Sequence, residues 1–508
     1  MPPAVRKVGP ELDIQLDNIG RPYQPGDVIT GRIVRRAHAV SPNATLTVYL
    51  LGRAKTKITV TTSNGNSTSR HYYRGRFNFF DAARTRQQLH DGPIHIPPGG
   101  SPEIWEFSLE VPLTPSPRVL LAENHKPENS FLSLTPDALA SSSLPSSFAA
   151  EGRKRNTRFQ AYVEYHLEAS MLQQGSHGGT ITATLPVHIR TPSLPYPLTN
   201  FDLQRCRWSG SVSTYHLVPG MENADLTFKQ KSQQFFHSSK VPTLGFSLEC
   251  SCPAVIQLEN PTPIPFLLRI IPDRKRTSEV LHDAPETFRV NSLELLLSAH
   301  TSVVGSGTWS THTGDGTVRH RFNLPVWFGP PATALQDVRS GETKQSGQSD
   351  HVTETSTHFD EKTIKEKSIS DVATDPEDGG GPSTSQEQTT MGAPSEELPT
   401  YTASTSQTPK PGPSGPSGPL LIPSSWDTED VPLDVGTAVG LRFFPTYALA
   451  LGRRISVDTS YGVIAPDFTT YCIRHSHRLK WKVIVGVAGE TVKFEGEQTV
   501  SVIGPSEM

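Results

Sequence analysis

Residues 159–169 alternate without a break. Phe159, Ala161, Val163, Tyr165, Leu167 and Ala169 are apolar, and Gln160, Tyr162, Glu164, His166 and Glu168 stand between them. A period of two belongs to a strand with one buried and one wet face. The same alternation returns at Leu12, Ile14 and Leu16; at Leu46, Val48 and Leu50; at Trp105, Phe107, Leu109 and Val111; and at Ile181, Ala183, Leu185, Val187 and Ile189. It resumes at Leu244, Phe246 and Leu248, at Leu293, Leu295 and Leu297, at Val439, Leu441 and Phe443, and at Leu479, Trp481, Val483, Val485 and Val487. Turn chemistry separates the runs, as in Pro25-Gly26-Asp27 and the polar stretch Gln173 to Gly179. No amphipathic helical pattern of about 12 residues or more stands out. Clean alternation implies antiparallel sheets with one solvated face. Many short strands joined by Gly/Pro turns predict an all-β chain built of β-sandwiches.

One tract departs from this pattern. The chain holds 45 Pro and 39 Gly in 508 residues, above the ordinary combined share of about 12%. Between Pro331 and Glu429 lie an acidic, glycine-rich run (Asp375 to Gly381) and KPGPSGPSGP (Lys410 to Pro419), with few large aromatics. Such a composition buries too little apolar surface to offset its ordering entropy, so a disordered insertion is expected. A shorter flexible loop is expected near Asp137 to Phe148. The resulting division is a first sandwich over 1–192 and, over 193–243, a linker with the first part of the second domain. The second sandwich then begins over 244–330, is interrupted by the insertion at 331–430, and takes its last strands from 431–508.

Charge and cysteine usage narrow the function. Net charge is −3, with 47 basic and 50 acidic residues, and gives no support to a nucleic-acid partner. Cys206, Cys250, Cys252 and Cys472 form no disulfide framework, which points to a reducing compartment. The opening MPPAVRKVGPELD lacks the apolar run of a secretory leader, and no apolar stretch reaches the ~18 residues of a membrane span. A soluble, cytoplasmic protein is expected. Cys250 and Cys252 share one strand face, but two thiolates leave a zinc set incomplete and read better as core cysteines. His475 and His477 share a face too and read as solvated or interface histidines. No G-x-S-x-G elbow, P-loop or post-strand G-x-G-x-x-G is present. No catalytic, cofactor-binding or metal-ligating residue is assigned, and the chain is expected not to be an enzyme.

Several segments carry a family likeness. Leu16 to Gly31 reads LDNIGRPYQPGDVITG; Leu144 to Phe148 reads LPSSF and is followed by YVEYHLEA at Tyr162 to Ala169; and PDFTTYCI at Pro466 to Ile473 precedes HRLKWKV at His477 to Val483. In this order and spacing the chain resembles the fungal alpha-arrestin-like proteins, while Arg205 to Lys240 adds little to the likeness. The resemblance implies two immunoglobulin-like arrestin β-sandwich domains, with the disordered insertion in the second. It implies a cytoplasmic trafficking adaptor, recruited to the plasma membrane or endosomes. Such an adaptor binds the cytoplasmic tails of membrane transporters or receptors and brings a WW-domain HECT ubiquitin ligase to them for endocytosis. The alternative is an arrestin-fold signalling or sorting scaffold that needs no ligase.

Inside the insertion lies Leu398-Pro399-Thr400-Tyr401. WW domains bind short polyproline-II segments in an aromatic groove, where Pro399 lowers the ordering cost and Tyr401 fills the neighbouring pocket. Leu398 stands where a first proline is usual. Phe444-Pro445-Thr446-Tyr447 matches the pattern but is expected in a buried strand. Lys362, Lys365 and Lys367 lie in the insertion as candidate ubiquitin acceptors. Ser456 follows Arg453-Arg454-Ile455 as a candidate phosphosite. Arg32, Arg35, Arg36, Arg53, Lys55 and Lys57 form a basic concentration suited to acidic tails or anionic lipid, the latter by peripheral membrane association.

Overall fold

The computed structural model describes residues 4–328 and 418–507, apart from 8, 10, 19, 66, 123–125, 175–178, 237, 285, 309, 326, 426–429 and 457–462. The described residues are mostly β-sheet. The first half of the chain supplies β1 (Asp13–Leu16), β2 (Val28–Arg35), β3 (Ala39–Ser63), β4 (Thr68–Asn78), β5 (Arg86–Ile96), β6 (Glu103–Glu110), β7 (Phe148–Lys154), β8 (Thr157–Gln173) and β9 (Gly179–Val187). β1, β2 and β6 make one antiparallel sheet. β3 is the hub of a second. One edge pairs with β5 along its first half and with β4 along its second, and the other edge pairs with β8, which in turn carries β7 and β9.

The alternation in β3 sends Leu46, Val48, Leu50, Ala54 and Ile58 inward, all at 0% exposure. They form one core with Ile29, Ile33 and Phe107 from the small sheet and with Phe159 and Tyr165 from β8. Each fully buried side chain of this size contributes about 1.5–3 kcal/mol relative to leaving it in water. Gly52 keeps the inward row from overfilling: a Cβ there would lie 2.7 Å from Tyr165 Cδ1 and 2.8 Å from Phe80 Cε2.

The second half supplies β10 (Leu203–Ser213), β11 (Thr243–Pro253), β12 (Val255–Gln257), β13 (Leu267–Pro272), β14 (Phe288–Ser306), β15 (Thr311–Leu324), β16 (Ile473–Val487) and β17 (Glu490–Ile503), with shorter strands between β15 and β16. β10, β11 and β13 lie in one sheet, while β14 pairs with β15 and β16, and β16 with β17. Between them sits a second core that includes Phe246, Leu248, Phe266, Leu297, Phe322, Trp481 and Val483. The two cores are joined through the sheet. Ser306, at the end of β14, pairs with Arg74 of β4. Val303, Val304, Tyr471, Cys472 and Ile473 belong to the first core. Thr56 Oγ1 donates to the Val304 carbonyl at 2.7 Å, and the Phe77 and Tyr471 rings stack at 3.4 Å.

Two local expectations are corrected, and one segment left unread in the sequence proves to be a strand. The stretch Asp137 to Phe148 is not a flexible loop. Thr135 caps a helix at Pro136–Ser141, Leu139 and Leu144 are fully buried, and Tyr165 Oη donates to the Pro145 carbonyl at 2.7 Å. Two buried leucines and a cap outweigh the polar composition around them. Leu203 to Ser213, which lacks a clear pattern, forms an edge strand in full register with β11. Most of its side chains stay exposed, so burial imposes no alternation. Phe444 to Tyr447 closes a hairpin turn instead of lying inside a strand, with the Phe444 amide donating to the Tyr447 carbonyl at 2.8 Å.

Candidate functional site

The outward positions of β3 are its odd-numbered residues from Leu51 to Thr61. Strand register surrounds them with cations. Lys55 stands opposite Arg76 of β4, Lys57 opposite Arg74, and Thr61 opposite Arg70. On the other edge Arg53 faces Glu164 of β8, and Thr59 faces Arg158. β7 adds Arg153, opposite Arg158, and Glu151, opposite Gln160. The turn from β7 to β8 passes through Arg155 in the left-handed region at φ 52°. The solvated face of one sheet therefore gathers cations from four strands and a turn. Directly opposed residues share a face, which is why residues remote in sequence converge here.

Part of this charge is neutralised internally. Arg53 Nε lies 2.5 Å and Lys55 Nζ 2.7 Å from Glu164 Oε1, and the Ala4 amide donates to Glu164 Oε2 at 2.8 Å. Burial pushes the Glu164 carboxyl up, but hydrogen bonds from Lys55, the Ala4 amide and Arg53 outweigh it and hold the group below the usual carboxylate range. Burial lowers Lys55, and Glu164 partly restores it. Burial, and then the nearby Arg53 charge, bring His166 down to about 4, so this imidazole is neutral near pH 7. Glu164, Lys55 and His166 are all buried and form the floor of the face. Lys55 and Lys57 also lie over the rings of Tyr162 and Tyr72, at 5.5 Å and 5.2 Å.

Two concavities open on the same half of the molecule, neither of them lined by Glu164, Lys55 or His166. One, of about 760 Å³, is lined by Lys57, Arg70, Tyr72, Arg153, Arg155 and Arg158, with Glu151 as its carboxylate. The other, of about 350 Å³, lies above Gly52 between Arg53, Arg76 and Arg118, with Asp81 at its wall. Arg158 is paired with Glu151 at 2.7 Å. Lys57, Arg70, Arg74, Arg76, Arg153 and Arg155 have no carboxylate at ion-pair distance among the described residues. A groove with unbalanced guanidinium groups suits carboxylate or phosphate groups, which arginine binds bidentately.

The structure divides the basic residues singled out in the sequence. Arg53, Lys55 and Lys57 share this face. Arg32, Arg35 and Arg36 belong to β2 and the residue after it, in the other sheet. Arg32 donates to Gln15 Oε1 at 3.0 Å, and Arg36 lies 4.0 Å from Asp13 Oδ2. Arg35 is buried, donating to the Glu11 and His38 carbonyls at 3.3 and 3.4 Å. Sequence reading missed Arg70, Arg74, Arg76, Arg153, Arg155 and Arg158. The period-two run Arg70, Tyr72, Arg74, Arg76 was a signal for most of β4. Leu398, Pro399, Tyr401, Lys362, Lys365 and Lys367 lie outside the described residues. Ser456 ends a short strand that pairs it with Tyr447.

The remaining candidates are structural. Cys250 and Cys252 are buried in the second core, with Sγ atoms 3.1 Å apart. His475 and His477 are buried rather than solvated: Thr301 Oγ1 lies 2.9 Å from His475 Nδ1, and Asp467 Oδ1 lies 2.5 Å from His477 Nδ1. Among the described residues no group of three or more His, Cys, Asp or Glu is arranged to hold a metal ion. No helix among them is long and apolar enough to cross a membrane. No family model and no curated protein matches the chain.

Proposed function

We propose that this chain is a non-enzymatic, arrestin-like trafficking adaptor of the cytoplasm. In this reading its two cores are two arrestin β-sandwich domains, and the insertion in the second is shorter than the 331–430 expected from composition, because Leu421 and Ile422 pair with Arg289 and Phe288 of β14 and Leu420 and Ile422 are buried in the second core. The observation that carries the cargo half is the sheet face on which Lys57, Arg70, Arg74, Arg76, Arg153 and Arg155 have no carboxylate at ion-pair distance among the described residues, with Glu151 engaged by Arg158. Acidic cytoplasmic tails of membrane transporters or receptors would dock there, with arginine forks meeting carboxylates. The ligase half rests on Leu398, Pro399 and Tyr401, a WW-domain ligand in the insertion. Ubiquitin transferred to the cargo by a HECT ligase would then commit it to endocytosis at the plasma membrane or endosomes, and Lys362, Lys365 and Lys367 would be ubiquitin acceptors on the adaptor itself. The motif occurs once in this reading and carries leucine in place of the first proline, which supports an arrestin-fold scaffold independent of a ligase as the second reading.

The cargo half is tested by titrating a fluorescent glutamate-rich peptide into the full chain at low and moderate salt. Saturable, salt-sensitive binding that weakens about tenfold or more in the double variant Arg70→Glu/Arg153→Glu is the expected result. Equal binding by the variant removes this face from the proposal.

A further inference from the structure

A surface helix of a soluble domain normally turns its apolar stripe inward and its polar face to water. The helix Phe228–Phe235 does the reverse. Phe228 and Phe235 are 90% and 77% exposed, and the next residue, Phe236, is 75% exposed. Phe228 and Phe235 are two turns apart and share one face, and the Phe235 and Phe236 rings meet edge to face at 5.2 Å. The inner face is polar and fastened to the domain. Tyr215 Oη donates to Gln233 Oε1 at 2.7 Å, Thr214 Oγ1 to Gln234 Oε1 at 3.3 Å, and Gln234 Nε2 to Glu490 Oε1 at 2.9 Å. The inversion is held from the N-terminus by a complete capping box, Thr227 with Gln230. The aromatic side is therefore presented outward on a fixed helix.

The charges that flank these rings on the helix itself are lysines, while Asp225 precedes the cap and Glu490 holds Gln234 on the inner face. Lys229 and Lys231 are exposed on either side of the Phe228–Phe235 face, and Lys240 follows. No carboxylate occurs in the sequence between Asp225 and Glu249. The turn that closes on the start of β11 through Ser278 Oγ and the Thr243 amide at 3.0 Å carries exposed Arg274, Lys275 and Glu279. Val280 beside them is 69% exposed. Aromatic side chains projecting from a helix whose flanks are lysine match the chemistry of an anionic bilayer interface: rings enter the acyl boundary while ammonium groups meet lipid phosphates.

We propose that the tip formed by Phe228, Phe235 and Phe236 with Lys229 and Lys231 is a membrane-docking element for anionic lipid surfaces. It lies in the second half of the chain and uses none of the residues of the cationic sheet face. It stands whether or not the adaptor reading holds, since vesicle binding and WW-domain binding are read separately.

The test is flotation of the full chain with phosphatidylcholine vesicles, with and without phosphatidylserine. Wild-type protein is expected to float with the phosphatidylserine vesicles and far less with neutral ones. The triple variant Phe228→Ser/Phe235→Ser/Phe236→Ser should lose about tenfold or more of that binding. Because the three rings are exposed, its melting temperature should stay at or above that of the wild type. Lys229→Gln/Lys231→Gln should remove the phosphatidylserine preference and leave a weaker residual. Absence of flotation by the wild type overturns the proposal. So does binding that survives the triple Phe variant, which would reassign the attraction to charge elsewhere, including the sheet face.

Discussion

The outer faces of the two halves of the large sheet differ in how many of their cations are paired, although Arg319 and Lys482 of the second half also have no carboxylate at ion-pair distance among the described residues. In the second half, Arg478 and Lys480 share Glu497 at 3.5 and 2.7 Å, Arg321 meets Glu294 at 3.0 Å, and Lys493 meets Glu495 at 2.6 Å. Lys480 and Lys493 in turn hold Glu497 and Glu495 below the usual carboxylate range. In the first half, the Glu164 carboxylate is consumed in the floor by Arg53 and Lys55, and the rim arginines of β4 and the β7–β8 turn are left without acids. The contrast separates two uses of charge. Paired surface charge keeps a sheet face solvated at little energetic gain. Unpaired charge of one sign repels itself, and that repulsion is relieved when an anion arrives.

The largest expected effect tests the floor. Glu164→Ala leaves Lys55 buried without its carboxylate and should cost about 3–5 kcal/mol in urea unfolding. A loss below 1 kcal/mol would show that the pair is screened like those of the second half. Next comes pH. His166 and His320 are each brought to about 4, the first by burial and Arg53, the second by burial and His477. Folded pKa values below the unfolded value of about 6.5 mean that the unfolded chain binds more protons in the interval between. This stability is complete well above pH 6.5 and is lost as pH falls towards 4, about 3 kcal/mol for the pair by pH 5.5. Urea midpoints at pH 7.5 and 5.5 measure it, and His166→Asn should flatten the first half's share alone. Glu164 acts lower: its depressed value makes its contribution present above the carboxylate range and lost as pH falls through it.

A smaller effect compares rims. Arg321→Glu/Arg478→Glu on the second face should leave glutamate-rich peptide binding within about twofold, against the tenfold loss expected on the first. Equal losses would make the whole sheet one diffuse cationic surface. The smallest effect is Glu497→Ala, expected to change stability by less than about 1 kcal/mol, because its partners are exposed.

The strands with one buried face were legible in the sequence because burial writes a period of two into them. β3, β8 and β16 are such strands, and their inward residues are the cores. The edge strand β10 was not legible, because exposed positions carry no pattern. The helix Pro136–Ser141 was hidden in serines, since two leucines anchor it through contacts remote in sequence. The cationic face was half legible. Arg53, Lys55 and Lys57 stand out along one strand, but their union with Arg70, Arg74, Arg76 and Arg153 depends on register, which alternation alone does not state. Equally, proximity in sequence misled for Arg32, Arg35 and Arg36, since a turn carries β2 into the other sheet. The outward aromatics at Phe228, Phe235 and Phe236 left no readable sign of exposure, because phenylalanine spacing on a helix is ordinarily the mark of a core.

Ligase recruitment is the central claim of the adaptor reading, and calorimetric titration of the full chain with purified WW domains of a HECT ligase tests it most directly. Saturable binding by the wild type, abolished in Tyr401→Ala and retained in Tyr447→Ala, is the expected result. No binding by the wild type, or binding that survives Tyr401→Ala, contradicts the claim and favours the ligase-independent scaffold.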